Sequence, residues 1–556
     1  MSQFFDRVDL ALAALTLHRS VYPLMFVGLF ALIVFLPGFF TLPPVDRDEA
    51  RYAQATKQMV QSGDYVDIRL GEAPRYKKPA GIYWLQAAVV SAFGEQYLRE
   101  IWAYRLPSLV SAVVGTLLTY LIALALVGAQ PAFLAAWLTA ACFVLAAEAR
   151  IAKTDATLFA MILMAQWVLA RLWAQGADAV CGAWPYLFWG ALGASVMIKG
   201  PIGPMVIGLT VSGLVIARHS TGWLRALHPV RGLILCLALV LPWYILITVK
   251  GGSAFWDESL GRDLLGKIGE GQEHHGAPFG THSLLVWLTF WPASIVLPFG
   301  LWYAWAARHD TAVVFCLMWI VPGWLVFELT ATKLIHYVLP MVPALAILSA
   351  AGWLKRPTGR PGLAYRVALL PLLGIAFLFA AASAWMTVQA GAWPGPLWWL
   401  GGFVTLTGIW WVWASLRAGG HFSLFPGLGA LALGLSLAFF AHLARLDYMW
   451  PSVALAEIQD AAPTCTNRAV AGVGYEEPSL MFLAEPVPLY PGLDAAVDMA
   501  HRSDCALIYI EARQKEAFDT AVADLFPEVL GQVRGYGLGR AQEVDVTVYW
   551  FGGTSP

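Results

Sequence analysis

Charge is what this chain has least of. Asp, Glu, Lys and Arg together make up 13% of its residues, roughly half the share usual in soluble domains. Acids and bases also balance, 36 against 35, so there is no basic excess to point to a nucleic-acid partner. Cysteine is scarce too. Cys142, Cys181, Cys236 and Cys316 lie in or beside apolar segments, without metal-ligand spacing. Cys465 and Cys505 fall in a polar C-terminal region and could form one disulfide if that region is extracytoplasmic. No glycine-rich phosphate loop is evident, since Gly535–Gly539 does not open a helix. No small-residue cleavage site follows the first apolar run, which predicts that residues 21–42 are an uncleaved first span. No internal repeat is seen.

What the chain has in abundance is apolar length. Hydrophobic residues make up 59% and mean hydropathy is +0.64, which predicts a polytopic α-helical membrane protein. After span 1, the expected spans are 104–127, 131–148, 156–174, 184–198, 201–217, 230–248, 282–305, 311–329, 336–353, 366–388, 396–416 and 424–443. That is about thirteen in all. The run 80–93 is too short to cross and reads as a surface or re-entrant helix, leaving one outer loop over 43–103. Arg218, Arg225, Arg231, Lys355, Arg356, Arg360, Arg366 and Arg417 then share the side of the N-terminus, which is cytoplasmic by the positive-inside rule. Residues 1–449 are expected to form the membrane domain, with juxtamembrane helices on its periplasmic face. Residues 450–556 are expected to form a small periplasmic α/β domain, with strands over 468–472, 505–511 and 543–551 and helices over 476–484, 493–501 and 512–525.

The few charges cluster on one face. Val45-Asp46-Arg47-Asp48-Glu49-Ala50-Arg51-Tyr52 follows span 1 and reads as the start of a helix on the bilayer surface, with Asp48 and Arg51 on one side. Arg75-Tyr76-Lys77-Lys78-Pro79 comes next. Carboxylates beside cations at a membrane suit a site where a base activates a hydroxyl and cations hold a phosphate; helix-capping carboxylates are the alternative. By the parity of thirteen spans, Asp48, Lys78, Asp155, Lys199, the 249–281 loop and Lys333-Leu334-Ile335-His336-Tyr337 share the outer face. Asp155 could instead cap a helix, and Lys199 could snorkel at a turn. No cofactor is required by these motifs. A divalent metal would have Glu273, His274 and His275 as its candidates, although adjacent histidines point apart and suit hydrogen bonding to a substrate as well.

Taken in order, Asp-Glu-x-Arg-Tyr-Ala (48–53), Lys-Pro (78–79), Lys-x-Asp-Ala (153–156), Lys-Gly-Pro (199–201), His-Gly-x-Pro-Phe (275–279) and Lys-x-x-x-Tyr-Val-Leu-Pro (333–340) resemble the aminoarabinose-transferase family. These are membrane glycosyltransferases of the GT-C fold, related to protein O-mannosyltransferases. The likeness runs from about residue 20 to 350. It implies an inner-membrane enzyme that takes a sugar from a polyprenyl-phosphate carrier and attaches it to a periplasmic-side acceptor, lipid A or lipopolysaccharide. Protein O-glycosylation and the flipping of a lipid-linked sugar are the rival activities. The resemblance implies Asp48 as catalytic carboxylate with Asp155 as a second acidic group, and Glu49 adjoins them. It implies Arg51, Lys78 and Tyr337 at the lipid phosphate, where Lys199 and Lys333 are further cations. Tyr52, Arg75, His275 and His336 complete the candidates. Where the family carries a glutamate that helps hold zinc, this chain has Lys77.

Overall fold

The computed structural model describes residues 2–17, 21–266, 276–356, 363–465, 467–539 and 541–552. Arg360, Glu273, His274 and His275 therefore lie outside the described residues. Among those described, eight helices are long and apolar enough to cross a bilayer. Thr281–Thr289 and Ala293–Ala306 pass the same test only as a pair, bent by 112° as a broken span or a re-entrant loop would be. Tyr22–Phe35, Gly81–Phe93 and Ile202–Arg218 are shorter apolar helices. The helical membrane architecture expected from the sequence is present among the described residues, with eight helices of crossing length where thirteen spans were expected.

Two segments expected to be continuous are broken, and the breaks support each other. The segment 131–148 divides into Ala129–Ala141 and Phe143–Glu148, with Cys142 extended between them (φ −62°, ψ 126°). The segment 282–305 breaks where Pro292 can donate no backbone hydrogen bond. Phe143 N donates to Trp291 O at 2.8 Å and Cys142 Sγ to Thr289 O at 2.8 Å. Each break so satisfies polar groups that apolar surroundings would leave bare. The short helix Phe143–Glu148 is thereby re-aimed, and it carries Glu148 to the buried floor of the polar site.

The parity expected of the chain agrees with what gathers at each end. Asp9, on the N-terminal helix Ser2–Leu17, accepts from the backbone of His421 at 2.9 Å and of Ser423 at 2.5 Å. Arg356 donates to Gly420 O at 2.8 Å. The loops assigned to the N-terminal side meet there, while Asp48, Asp155, Lys199 and His336 meet at the other end.

The outer loop folds as its sequence directs. Asp48 and Glu49 open the helix Asp48–Ser62, and Gly63, left-handed at φ 69°, closes it. A small hairpin follows, β1 (Arg69–Leu70) against β2 (Ala73–Pro74), and then the 13-residue helix Gly81–Phe93. Asp48–Ser62 differs from a helix lying open on a membrane. Ala50, Ala53, Gln54, Thr56 and Lys57 are all sealed from solvent, because the C-terminal region covers it. Phe482 packs edge-on to Tyr104 (ring centroids 5.2 Å apart) in a cluster with Ala53, Val90 and Ala152.

That C-terminal region is a four-stranded sheet in the order β3 (Ala469–Val473), β4 (Cys505–Glu511), β6 (Gln542–Gly552), β5 (Glu528–Gly537). β3 and β4 are parallel, and the β4–β6 and β6–β5 pairs are antiparallel. Leu493–Arg502 and Ala512–Ala521 cover one face, Pro451–Ala461 and Pro478–Leu483 the other. β4 is apolar almost throughout because both its faces are covered. Cys465 and Cys505 are bridged. Two elements were not expected: the helix Pro451–Ala461 and the glycine-bearing strand β5.

Candidate active site

The site is built around a buried ion pair. Arg105, from the helix Ile101–Val127, places Nε and Nη2 each 2.8 Å from the two oxygens of Glu49. The same carboxylate accepts from Val45 N at 2.8 Å and Ala152 N at 2.7 Å. The remaining guanidinium hydrogens go to the carbonyls of Phe39, Leu42 and Pro43. Both side chains are wholly buried. Glu49 was expected among the catalytic carboxylates. The structure instead spends both its oxygens on tying the end of span 1, the start of the Asp48 helix and the 150s loop into one unit. Arg150 does similar work from below. It is buried and donates to the carbonyls of Val34, Ala146 and Pro37 and to Ser436 Oγ.

Next to this hub, Asp48 is open to solvent. Its side chain is 58% exposed, and Arg51 Nη1 stands 3.9 Å from Oδ1 on the face the sequence assigned to both. The backbone just before it is unusual, since Arg47 adopts φ 70° and ψ −105°. Arg75 is buried, lies over the Tyr52 ring at 5.2 Å and donates to Tyr83 Oη at 3.3 Å. Burial opposes its charge, but Tyr83, Tyr52 and Asp48 hold its pKa above the ordinary arginine value. Burial pushes the Tyr52 phenol well above its ordinary value, so it remains a neutral hydroxyl.

Asp155 sits at the head of the helix Asp155–Gln175, three residues beyond the Ala152 amide held by Glu49. Lys199 Nζ is 2.5 Å from its Oδ1 and Lys153 Nζ 3.8 Å from its Oδ2. Lys153 also reaches Glu148 at 3.2 Å. His336 stands between the two acids, Nδ1 3.5 Å from Glu148 Oε1 and Nε2 3.6 Å from Asp155 Oδ1. Although burial works against its charge, Lys153 has its pKa raised by Glu148 and Asp155 and so stays an ammonium.

Of these groups, Asp155, Lys199 and His336 form part of the wall of a cavity of about 480 Å³, and Glu148 and Lys153 contact them from outside its lining. Lys77, Lys78, Asp155, Lys199, His336 and Tyr337 supply its polar side; Tyr244, Trp256, Leu158, Met205, Val326 and Phe327 its apolar side. A second, almost wholly apolar groove of about 430 Å³ runs along Val240, Leu241, Ile245 and Val249 and shares Tyr244 and Trp256 with the first. Asp48 stands outside the lining, yet close enough for its charge to act on Lys153 and Arg75. Of the cations expected at a phosphate, Lys78, Lys199 and the hydroxyl-bearing Tyr337 line the cavity. Arg51 lies with Asp48 outside it. Lys333 is a correction: its ammonium donates to Ala277 O at 2.9 Å and Thr330 O at 2.6 Å, fastening two loops together. His275 lies outside the described residues. Among the described residues no three His, Cys, Asp or Glu side chains approach closely enough to hold a metal. Lys77, which lines the cavity, carries an ammonium that cannot ligate one.

Reading the sequence missed Glu148, Lys153 and Arg105 as members of this constellation. The signal was available for Glu148 and Arg105, since a charged residue inside an apolar segment demands a partner.

The chain was compared with known proteins. Residues 77–246 match the family described as dolichyl-phosphate-mannose-protein mannosyltransferase. Among curated proteins, an undecaprenyl phosphate-alpha-4-amino-4-deoxy-L-arabinose arabinosyl transferase from Edwardsiella ictaluri is 28% identical over 361 residues, 64% of this chain and 63% of the relative. The protein of that name from Pseudomonas paraeruginosa is 26% identical over 375 residues, 65% of this chain and 66% of the relative. The chain thus spans just under two thirds of the curated relatives it matches. The fold extends further. The crystal structure of ArnT from Cupriavidus metallidurans bound to undecaprenyl phosphate aligns with a TM-score of 0.73 at 21% identity, covering 95% of this chain and 98% of that one. The likeness read from the motifs to aminoarabinose-transferase-like proteins of the GT-C fold therefore holds in sequence and in fold.

Proposed function

We propose that this aminoarabinose-transferase-like chain is a polyprenyl-phosphate-dependent glycosyltransferase of the bacterial inner membrane, moving a sugar to lipid A or lipopolysaccharide on the periplasmic side. One observation carries the reading. A cavity with lysines on one wall and apolar side chains on the other adjoins an exposed carboxylate, Asp48, and shares Tyr244 and Trp256 with an almost wholly apolar groove. A sugar phosphate on a long isoprenoid chain has this pattern of charge and grease. Lys78, Lys199 and Tyr337 hold the carrier phosphate, and the chain lies along Val240–Val249 past Tyr244 and Trp256.

In the reaction, Asp48 orients the acceptor group and takes its proton. The acceptor oxygen attacks the anomeric carbon from the face opposite the phosphate. The bond from that carbon to the phosphate oxygen breaks, its electron pair leaves with the phosphate, and the configuration inverts. The lysines gain interaction energy as charge develops on the leaving group. Asp155 keeps Lys199 in place and, with Lys153, sets the charge of the wall. The excess of basic residues in the loops assigned to the N-terminal side supports a cytoplasmic N-terminus, and in this reading the site and the C-terminal region face the periplasm, where a lipid-linked donor needs no nucleotide.

The test is Asp48→Asn in the purified protein. Transfer should be lost while a polyprenyl-phosphate sugar still binds, because the carboxylate acts in the transition state. Near-normal turnover would remove Asp48 from the mechanism. A flippase needs no base, so undiminished movement of a lipid-linked sugar by this variant would favour that activity instead.

A further inference from the structure

Glu148 has no part in the chemistry above, yet its setting is unusual. Its side chain is 5% exposed at the end of the re-aimed helix Phe143–Glu148. Oε1 meets Lys153 and His336, while Oε2 is buried without a hydrogen-bond partner among the described residues. An ionised carboxylate with one oxygen desolvated and unpaired is costly, and a protonated one much less so.

His336 makes the same demand from the other side. Each of its ring nitrogens faces a carboxylate oxygen, Glu148 on one side and Asp155 on the other. A neutral imidazole carries one N–H, so one nitrogen would oppose a carboxylate with its lone pair. The line Glu148–His336–Asp155 is satisfied only if it holds one proton more than the neutral ring with two carboxylates.

The surroundings indicate where that proton rests. Asp155 has two ammonium groups, Lys199 and Lys153, and Glu148 has only Lys153 within ion-pair distance. Asp48 acts on His336 from outside the cluster. The elements packed against the short helix bring little else: Arg105 is committed to Glu49, Arg150 to carbonyls, the His282 ring nitrogens have no hydrogen-bond partner among the described residues, and Tyr22–Phe35 carries no charge. Glu148 is the acid less compensated, so it keeps the proton.

We propose that Glu148, His336 and Asp155 share one exchangeable proton, stored on Glu148, which keeps the cavity wall cationic for the donor phosphate. With Glu148 protonated and His336 neutral, two ammonium groups face one carboxylate and one positive charge is left over. Ionising Glu148 cancels it. Glu148 is thus a positioning residue acting through His336 and Lys153, and the role rests on the reading of the cavity as a phosphate site.

Two measurements on the full-length protein test this separately. Infrared spectra of protein without donor should show the carbonyl band of a protonated carboxylic acid that fades as pH rises and is missing in Glu148→Gln. Undecaprenyl phosphate binding should weaken on the order of tenfold across that same pH range in the wild type. In Glu148→Gln, a permanently neutral side chain, it should not. The probe titrates equally in both, so the difference between profiles isolates the protein. Glu148→Asp should keep a titrating band at a shifted midpoint. Absence of any Glu148-dependent band, or identical binding profiles in wild type and Glu148→Gln, would overturn the proposal. A titrating band in a protein that binds no undecaprenyl phosphate would leave the shared proton standing and sink the phosphate reading of the cavity.

Discussion

Asp48 and Glu49 are neighbours in sequence and chemically alike, and their substitutions should fail in opposite ways. Glu49 makes four hydrogen bonds, two to Arg105 and two to the amides of Val45 and Ala152, with no exposure to water. Glu49→Gln keeps the shape but removes the charge and turns one acceptor into a donor. It leaves the Arg105 guanidinium buried with carbonyls alone. Breaking a buried pair from one side costs about 3–5 kcal/mol, a large part of what holds most domains folded. Arg105→Lys should not rescue the site, because a single ammonium cannot serve a bidentate carboxylate and three carbonyls together. Asp48, 58% exposed with Arg51 3.9 Å away, should cost about 1 kcal/mol or less on conversion to Asn. The assay is thermal unfolding of both variants in one detergent, with single-turnover transfer measured beside it. The hub should appear as lost stability and yield in Glu49→Gln, and Asp48→Asn should keep wild-type unfolding with no transfer. If Glu49→Gln unfolds like wild type and is inactive, the carboxylate belongs to the chemistry and the structural assignment is wrong.

Other outcomes follow from the same geometry. Lys78→Ala should weaken binding of a polyprenyl-phosphate sugar by about 1.5–3 kcal/mol, as for a hydrogen bond to a charged group; a titration calorimeter reading unchanged affinity would take Lys78 off the phosphate. Lys333→Ala, which frees two loop carbonyls rather than a ligand, should lower stability and leave donor affinity within about twofold of wild type. Phe482→Ala should cost about 3–5 kcal/mol where the C-terminal sheet docks, and protease digestion should then release that region first. Lys57 gives a pH signature. Burial pulls its pKa below the ordinary 10.5 even though Glu485 opposes the shift. Between that lowered value and 10.5 the unfolded chain binds more protons than the folded one, so stability gains with rising pH. Lys57→Met should remove this alkaline gain, and an unchanged slope would refute the buried ammonium.

The parts of this protein that were legible in sequence are those in which a residue's own chemistry decides its place. Gly63 ends the Asp48 helix because it tolerates φ 69°. The run 80–93 is short, and the helix Gly81–Phe93 stays short. Cys465 and Cys505 share the polar C-terminal region and are bridged. What was hidden depends on partners distant in sequence. The break at Cys142 is stable because Trp291 and Thr289 accept its orphan groups, 148 and 147 residues from their donors Phe143 and Cys142 along a chain that gives no local sign of it. Arg105 and Arg150 both hold carbonyls at the end of span 1, partners that lie far from them in sequence. Strand β5 escaped notice because Gly531, Gly535 and Gly537 are poor strand formers, and it pairs along β6 all the same.

The glycines of β5 and its turn also explain how the C-terminal sheet packs against the segment that carries Asp48. Arg47 holds a backbone conformation that L-residues seldom adopt, one residue before Asp48, and such geometry persists only where its surroundings over-determine it. Glu49 fixes one side through Val45 N. The C-terminal region fixes the other: Ser479 N donates to Asp46 Oδ1 at 3.3 Å, and a Cβ on Gly539 would stand 3.3 Å from Asp46 Cβ and 3.4 Å from Arg47 Cγ. Gly535 is pressed more closely still, since a Cβ there would stand 2.7 Å from both Pro451 Cγ and Tyr448 O, so the turn cannot retreat. The Gly-Tyr-Gly-Leu-Gly stretch, which has no phosphate to cradle, supplies close packing. Gly539→Val should therefore slow turnover while leaving donor affinity intact, because the added carbons push on the residues that aim Asp48 and not on the lysine-lined cavity. Equal losses in turnover and donor affinity would place the effect in the cavity and refute this account of the sheet.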